Sequence, residues 1–453
     1  MSAHVILASN RLPVNVTEHS GTLAVNRSIG GVATALDAIF QKYQATWVGW
    51  MGLGRTLNTD ELHRLQAELP ERLVPVQAET SLVNAYYNHF SNQVLWPTMH
   101  HFWPTRAPST ADWDAMKEIA RRFAAAISAV ARPDDMIWVH DYHLMMVPRA
   151  LREAGLQNKV GFFLHTPFAT PQYWWVVMHH RELLESLCEV DLLGVQTQRE
   201  VDELWECIRA LGQRMQPGLV RSFPIGIDYD AHHILGATAE VQGLAQDIQR
   251  QYPGKKIIFS ISRLDYTKGI LVQLDAVELF LQDLLSAERQ QYVYKMIVAP
   301  SREGVKAYRE LQDAAAQKAA DINERLGTPG WQPVEYICEY HGPAQMAAWF
   351  TAADVLMILP SLDGMNLIAK EYIAVRQTPG SLVMSTGPGA ATQLTSALLV
   401  SPNDPPAAAE ALAQAIGMSE PERAERWKQL RENVRTQNVF WWADTFIDTL
   451  SKQ

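Results

Sequence analysis

Cysteine is scarce: Cys188, Cys207 and Cys338 are the only three in a chain of 453 residues. An odd, widely spaced set does not make a disulfide framework, so a reducing compartment is expected and all three read as structural thiols. Long apolar runs are missing too. No stretch reaches ~18 unbroken apolar residues, and the chain runs straight into HVILAS with no basic segment ahead of a long apolar one. Neither a membrane span nor a secretory leader is expected, and the protein reads as cytoplasmic with no membrane partner. Positive charge is in deficit, 39 Lys and Arg against 49 Asp and Glu, for a net charge of −10. That balance argues against nucleic acid as a partner, while a local Arg/Lys cluster still suits an anionic small molecule. There is no Walker A sequence, no G-x-S-x-G elbow and no G-x-G-x-x-G after the first strand-like run. ATPase, hydrolase and dehydrogenase readings recede accordingly. The histidine pairs His100–His101, His140 with His143, and His179–His180 are accompanied by neither a Cys pair nor H-E-x-x-H, so no metal is expected.

What is present is an ordinary globular balance of 47% hydrophobic and 19% charged residues, in a chain long enough for two domains. Strand-like runs alternate with helical ones: HVILAS, MIWVH and KVGFFLH in the first half, KKIIFSIS, YVYKMIVAP, DVLMIL and SLVMS in the second. The alternation predicts an α/β fold with parallel sheets in two similar halves. Pro224 and Gly226 in SFPIGIDYD mark the break between them. The expected organisation is one domain over 1–226, a second over 227–435 and a helix over 436–453 that returns towards the first.

Polar residues follow the strands consistently. Asn10 and Arg11 follow the first; His140 and Asp141 follow MIWV; His165 follows KVGFFL; Arg263, Asp265 and Lys268 follow KIIFSIS; Arg302 follows MIVAP; Asp363 follows DVLMIL. Open α/β sheets bind ligands outside the carboxyl ends of their strands, so these positions point jointly to one cleft between the two domains. Arg263 and Lys268 in SRLDYTKG suit a diphosphate. In PSLDGMNLIAKEY, Asp363 and the amides of Gly364, Met365 and Asn366 are expected at a helix N-terminus that favours anions, and Leu367 is taken with them as part of the donor site. Glu371, eight residues after Asp363, is expected two turns into that helix and on roughly the same face. Gly30 and Gly31 precede another helix and would let amides approach a phosphate. In YYNHFSNQVLWP, which shows neither helical nor strand period, Tyr87 and Trp96 either stack on a sugar or pack on the core.

These segments resemble the trehalose-6-phosphate synthase family of retaining glycosyltransferases over nearly the whole chain. SNRLPV, GGVATAL, YYNHFSNQVLWP, WVHDYHLMMVP, GFFLHTPFATP, LLGVQT, FPIGID, SRLDYTKG, VAPSREGVKAY, DGMNLIAKEY and GAATQLTSALLVSP carry the likeness in order and spacing. The resemblance implies a GT-B architecture of two Rossmann-like domains, UDP-glucose and glucose 6-phosphate as substrates, no cofactor and no metal. It also implies a possible homo-oligomer. By position, Arg11, Tyr87, Trp96 and Arg302 match the acceptor-binding residues, and Gly31 matches the glycine loop near the donor phosphates. Arg263 and Lys268 match the diphosphate pair. Asp141 matches the acid beside the two sugars, while His165 and Asp363 match contacts to the transferred glucose. Glu371 matches the carboxylate on the ribose.

Three places depart from the family pattern: Ser361-Leu362-Asp363 where Leu-Arg-Asp is usual, Ala169 and Gln172 where proline and glutamate are usual, and TGPGAATQL where Asn-Glu precedes Leu. They adjoin donor and acceptor contacts and leave nucleotide base and acceptor open. The alternatives are a synthase using glycerol 3-phosphate or GDP-glucose, and a catalytically silent sugar-phosphate-binding regulator. Every matched catalytic position keeps a competent side chain, which favours the enzyme.

Overall fold

The strand-like runs form two parallel sheets in a computed structural model that describes residues 4–19, 22–27, 31–212, 218–301 and 306–453. The chain divides into two units, Met1–Ile225 with Val439–Gln453, and Gly226–Asn438. The first holds strands β1 (Val5–Arg11), β4 (Thr46–Trp50), β5 (Leu73–Val76), β6 (Met136–His140), β7 (Val160–Phe163), β8 (Leu192–Val195) and β9 (Val220–Ser222). They lie parallel in the order β5-β4-β1-β6-β7-β8-β9, and an antiparallel hairpin, β2 (Val14–His19) and β3 (Thr22–Arg27), is inserted after β1. All five residues of β6 and six of the seven in β1 are buried. Cover on both faces is why these strands read as unbroken apolar runs rather than alternating ones.

The second unit has β10 (Lys256–Arg263), β11 (Tyr292–Ala299), β12 (Val334–Cys338), β13 (Val355–Ile358), β14 (Ser381–Ser385) and β15 (Leu398–Val400). These are parallel in the order β12-β11-β10-β13-β14-β15. Numbered within its own unit, and leaving the hairpin aside, each sheet begins 3-2-1-4-5-6, the doubly wound Rossmann order. Its direction reverses between β1 and β6 in one unit and between β10 and β13 in the other.

The helix Val439–Ser451 belongs to the first unit although the whole second unit separates it from the rest in sequence. Phe446 stacks on Trp138 of β6, centroids 4.4 Å apart at 8°, and lies over Gly161 of β7 and Gly194 of β8. A Cβ at either glycine would come within 2.7 Å of the Phe446 ring, so these glycines make the seat. Trp442, fully buried, packs on Trp138 and Phe163 at 4.9 Å each. At the helix's outer edge, Asp444 accepts from Lys42 Nζ at 2.6 Å and from the Tyr43 hydroxyl. Burying each large aromatic contributes about 1.5–3 kcal/mol, which holds the returning helix in place.

One segment differs from the sequence expectation. Asn84–Leu95, which takes in most of the aperiodic YYNHFSNQVLWP stretch, is a π-helix that continues into the short α-helix Trp96–Met99. Its i to i+5 bonding winds the chain more loosely than 3.6 residues per turn, so no α or β period fits the apolar positions. Among the described residues, no helix is long and apolar enough to cross a membrane.

Candidate active site

In the first unit, polar side chains gather where the strand order reverses. Arg11 ends β1, donates from one Nη to Asn15 Oδ1 at 2.7 Å and lies 4.5 Å over the Trp50 ring at the end of β4. Burial lowers its pKa from the usual value, yet a guanidinium stays charged. No carboxylate pairs with it among the described residues, which leaves a partly desolvated cation suited to an anion. Tyr87, on the π-helix, stacks on His143 at 5.4 Å and 19° and faces Trp50 at 6.3 Å. Its neighbour Tyr86 donates to Asn10 at 3.1 Å.

The H-D-Y-H turn after β6 fixes this layer. Tyr142 donates to Asn92 of the π-helix at 2.9 Å and packs on Trp96 at 5.9 Å. Trp96 is 6% exposed and also packed against His100 at 4.1 Å. Asp141 has φ 74° and ψ 162°, a conformation that a non-glycine residue adopts at a cost of about 1–3 kcal/mol and that concentrates at functional sites. Its Oδ1 accepts from the His165 amide at 3.3 Å and its Oδ2 lies 3.8 Å from His143 Nδ1. His165, two residues past β7, meets His140 ring to ring, Nε2 to Nδ1, at 3.2 Å. Burial drives both imidazoles towards neutrality, His165 to about 3 and His140 well below its usual value, with the two rings opposing each other's charge at His140.

In the second unit, Lys268 closes the turn after β10, and its Nζ donates to Asp363 Oδ2, after β13, at 2.6 Å. Lys268 is only 9% exposed. The turn is tight: Gly269 has φ 65°, and a Cβ there would come 1.9 Å from the Leu359 carbonyl oxygen. Asp265, fully buried, braces it by accepting from the Thr267 amide at 3.0 Å and the Tyr308 hydroxyl at 3.2 Å. Arg263, at the end of β10, is exposed beside them.

Asp363 also accepts from the Gly364 amide at 3.0 Å and from Asn366 Nδ2 at 3.2 Å. Asn366, left-handed at φ 69°, caps the helix Leu367–Val375 by accepting from the Ala369 amide at 3.3 Å. The amides of Met365, Asn366 and Leu367 meet no acceptor among the described residues, leaving donors at the positive end of the helix dipole. The helical register expected between Asp363 and Glu371 is not found. Asp363 stands four residues before the helix, bridged to Pro388, and Glu371 lies in the helix's second turn. The left-handed Asn366 breaks the periodicity that would have aligned them. Glu371 is half-buried, has no hydrogen-bond partner among the described residues, and burial raises its pKa while His232 opposes the rise.

Gly31 is the first residue of the helix Gly31–Lys42, whereas Gly30 and Arg302 lie outside the described residues. The departures from the family pattern separate by burial: Ala169 is fully buried, Gln172 exposed and Leu362 intermediate. Gln393, in the TGPGAATQL stretch, accepts from Lys370 at 2.6 Å, and burial pushes that lysine down to about 7. Sequence reasoning left out Trp50 as a site residue; its strand-end position was the available signal. Among the described residues, no group of three or more His, Cys, Asp or Glu could hold a metal ion.

Comparison with known proteins is consistent over the whole length. The family model for glycosyltransferase family 20 matches residues 3–452. A bifunctional trehalose-6-phosphate synthase/phosphatase of Thermoproteus tenax is 34% identical over 98% of this chain, which spans only 63% of that longer protein. A solved trehalose-6-phosphate structure from E. coli, bound with UDP-2-fluoro glucose, superposes with a TM-score of 0.89 at 30% identity, covering 100% of this chain and 99% of that one. An alpha,alpha-trehalose-phosphate synthase (UDP-forming) from Burkholderia xenovorans, in complex with glucose-6-phosphate, gives 0.87 at 30% identity over 99% and 100%.

Proposed function

Because the chain belongs to glycosyltransferase family 20, we propose that it transfers glucose from UDP-glucose to glucose 6-phosphate with retention at the anomeric carbon, giving trehalose 6-phosphate and UDP. The observation that carries this reading is the second unit's cradle, where Lys268 held on Asp363 adjoins the uncommitted amides of Met365, Asn366 and Leu367. As the bond between glucose and diphosphate breaks, negative charge collects on the leaving oxygens. Donors already in place stabilise it without reorganising. Arg263 adds a second cation, Gly31 supplies a close backbone approach to the phosphates, and Glu371 accepts from the ribose hydroxyls.

Acceptor binding falls mostly to the N-terminal unit and donor binding mostly to the C-terminal one. Arg11 and Arg302 neutralise the acceptor phosphate, Tyr87 and Trp96 border its sugar, and Asp141 stands beside the reacting hydroxyl. His165 and Asp363 hold the transferred glucose. The departing phosphate oxygen takes the proton of the acceptor's anomeric hydroxyl on the face where the new C–O bond forms. Configuration is thereby retained without a protein nucleophile. The work is positioning and charge stabilisation, with the protein's own cations in the role a metal would otherwise fill. A cytoplasmic location agrees with three cysteines that form no disulfide with one another and with the small-molecule substrates.

The test is turnover of UDP-glucose and GDP-glucose with glucose 6-phosphate, glycerol 3-phosphate and glucose. Equal amounts of UDP and trehalose 6-phosphate are expected. Preferential use of glycerol 3-phosphate or GDP-glucose would make it a related synthase. Tight binding of glucose 6-phosphate without turnover would make it a silent regulator.

A further inference from the structure

We propose that Gln393 is a positioning residue for the donor cradle, fastening the helix that follows the anion loop to the segment that pairs with that loop. The proposal rests on the reading above that the amides of Met365, Asn366 and Leu367 receive the diphosphate. The Gly389 amide donates to the carbonyls of Asp363 at 3.3 Å and Gly364 at 3.1 Å, and the Ala390 amide to that of Met365 at 2.9 Å. The two segments approach so closely that a Cβ at Gly387 would lie 2.3 Å from the Ser361 carbonyl oxygen. Gly389 opens the short 3-10 turn Gly389–Thr392, and Gln393 closes it. From there Gln393 Oε1 accepts from Lys370 Nζ at 2.6 Å, while its Nε2 donates to Gln437 Oε1. Lys370, the fourth residue of the helix Leu367–Val375, is fully buried, and Gln437 caps the helix Glu420–Thr436.

The three open amides thus lie between two fastenings to one short segment: backbone bonds before them and the bond from Lys370 to Gln393 after them. Such an arc does not keep its shape unaided. Asn366 is held at φ 69°, a left-handed conformation that persists where its surroundings over-determine it. The backbone bonds fix residues 363–365, and Gln393 joins the helix start to them. Amides set before the diphosphate arrives bind it without the cost of ordering them, whereas loosened ones must be ordered on binding. Donor affinity is therefore the quantity that Gln393 governs. Both ends of its amide are used, the oxygen by an amine and the nitrogen by a fixed acceptor. An apolar side chain of similar size removes both bonds. Glutamate, the usual residue here in the family pattern, keeps the acceptor for Lys370, and Gln437 can meet its second oxygen by turning its own amide.

Calorimetry on Gln393→Leu should show the UDP dissociation constant raised about 3- to 10-fold at unchanged stoichiometry, with glucose 6-phosphate affinity within about twofold of wild type. Hydrogen exchange read by mass spectrometry should quicken at the Ala369, Gly389 and Ala390 amides, which make the bonds of this arc, and stay unchanged in the first unit. Gln393→Glu should restore the slow exchange and bind UDP at least as tightly as wild type. Three results overturn the proposal: wild-type UDP affinity in Gln393→Leu, a lowered stoichiometry at wild-type affinity, which marks a structural role only, or Gln393→Glu as weak as Gln393→Leu. Should the Leu variant fail to fold, Gln437→Leu, which removes the outer anchor, decides instead. Weaker UDP binding there supports the fastening and wild-type affinity overturns it. The exchange measurement needs no ligand, so quickened exchange in Gln393→Leu of a protein that binds no UDP would sink the donor reading alone.

Discussion

Lys268 donates to Asp363 across 2.6 Å, tying the loop after β10 to the loop after β13. Those strands are neighbours at the reversal point of their sheet, so the ion pair spans the crevice where doubly wound sheets place ligands. The pair fixes the lysine before any anion arrives. Preorganisation of this kind lets a charge act on a transition state rather than merely on binding.

Lys268→Ala should therefore lower kcat by roughly 100-fold or more while raising donor KM much less. Wild-type activity should persist in EDTA, because Arg263 and Lys268 bring the positive charge to the diphosphate. Steady-state kinetics with and without chelator check both. Activity lost in EDTA and restored by magnesium would contradict the assignment.

Removing the Glu371 carboxylate, which has no hydrogen-bond partner among the described residues, should cost UDP about 1.5–3 kcal/mol, or roughly 10- to 100-fold in affinity. Calorimetry on Glu371→Ala measures it. Since burial raises this pKa, wild-type UDP affinity should begin to fall on acidification at a higher pH than an ordinary glutamate would cause. Glu371→Gln should bind weakly with no such dependence. Wild-type affinity in either variant removes Glu371 from the donor site.

Arg11→Ala should reduce kcat/KM for glucose 6-phosphate by about 10- to 100-fold, the usual worth of a charge-assisted contact, and hardly change it for glucose. UDP affinity should stay within about twofold of wild type. Equal losses on both acceptors would place Arg11 in the scaffold and not on the phosphate.

Glu203, on the helix Gln198–Ala210, gives a stability prediction away from substrate. Its Oε2 is buried without a partner, its Oε1 is 4.0 Å from His101, and burial pushes the carboxyl up to about 7. The folded protein therefore holds this proton more tightly than the unfolded chain does. Between the ordinary glutamate pKa and about 7, stability from this group falls as pH rises, and above 7 the loss is complete. Glu203→Gln should raise the Tm at pH 8, by an amount equivalent to at most about 3 kcal/mol, and barely change it near pH 4.5. A variant equally stabilised at both pH values would show that the carboxyl does not titrate in this window.

Gly161→Ala drives a methyl to within 2.7 Å of the Phe446 ring. It should destabilise by about 1–3 kcal/mol through overpacking, and Phe446→Ala by about 3–5 kcal/mol through the cavity it leaves. If the two groups meet as described, the double variant should be less destabilised than the sum. Thermal denaturation of all three tests it, and strict additivity would separate the residues.

The buried parallel strands were legible because cover on both faces leaves a continuous apolar signature, as in MIWV and DVLMIL. The polar residues that follow them were legible for the same reason, since a strand's end is also the end of its apolar run. Lys268 and Asp363 were each marked in this way, but 95 residues apart their contact depends on β10 lying beside β13, which no local pattern encodes. The register inferred between Asp363 and Glu371 failed at one backbone angle, the left-handed Asn366. The π-helix escaped because its winding matches neither sought period, and with it went the packing of Tyr87 on His143 and of Trp96 on Tyr142. His140 looked like any strand-end histidine until the pairing of β6 with β7 set it against His165.

The placement of Val439–Ser451 bears on how the protein is made. About 280 residues separate Phe163 from Phe446, and at ~5–20 residues per second a ribosome needs roughly 15–60 s to add them. Once β8 and β9 are made, Trp138, Phe163 and the Gly161–Gly194 seat stay bare for the rest of that interval, an aromatic strip on a nascent domain that has its whole sheet. Such a strip is a client for holdase chaperones and a landing place for the same strip on a neighbouring polysome chain. A circular permutant that puts residues 439–453 ahead of residue 4 would deliver the lid first, and should need less chaperone assistance to reach the same fold.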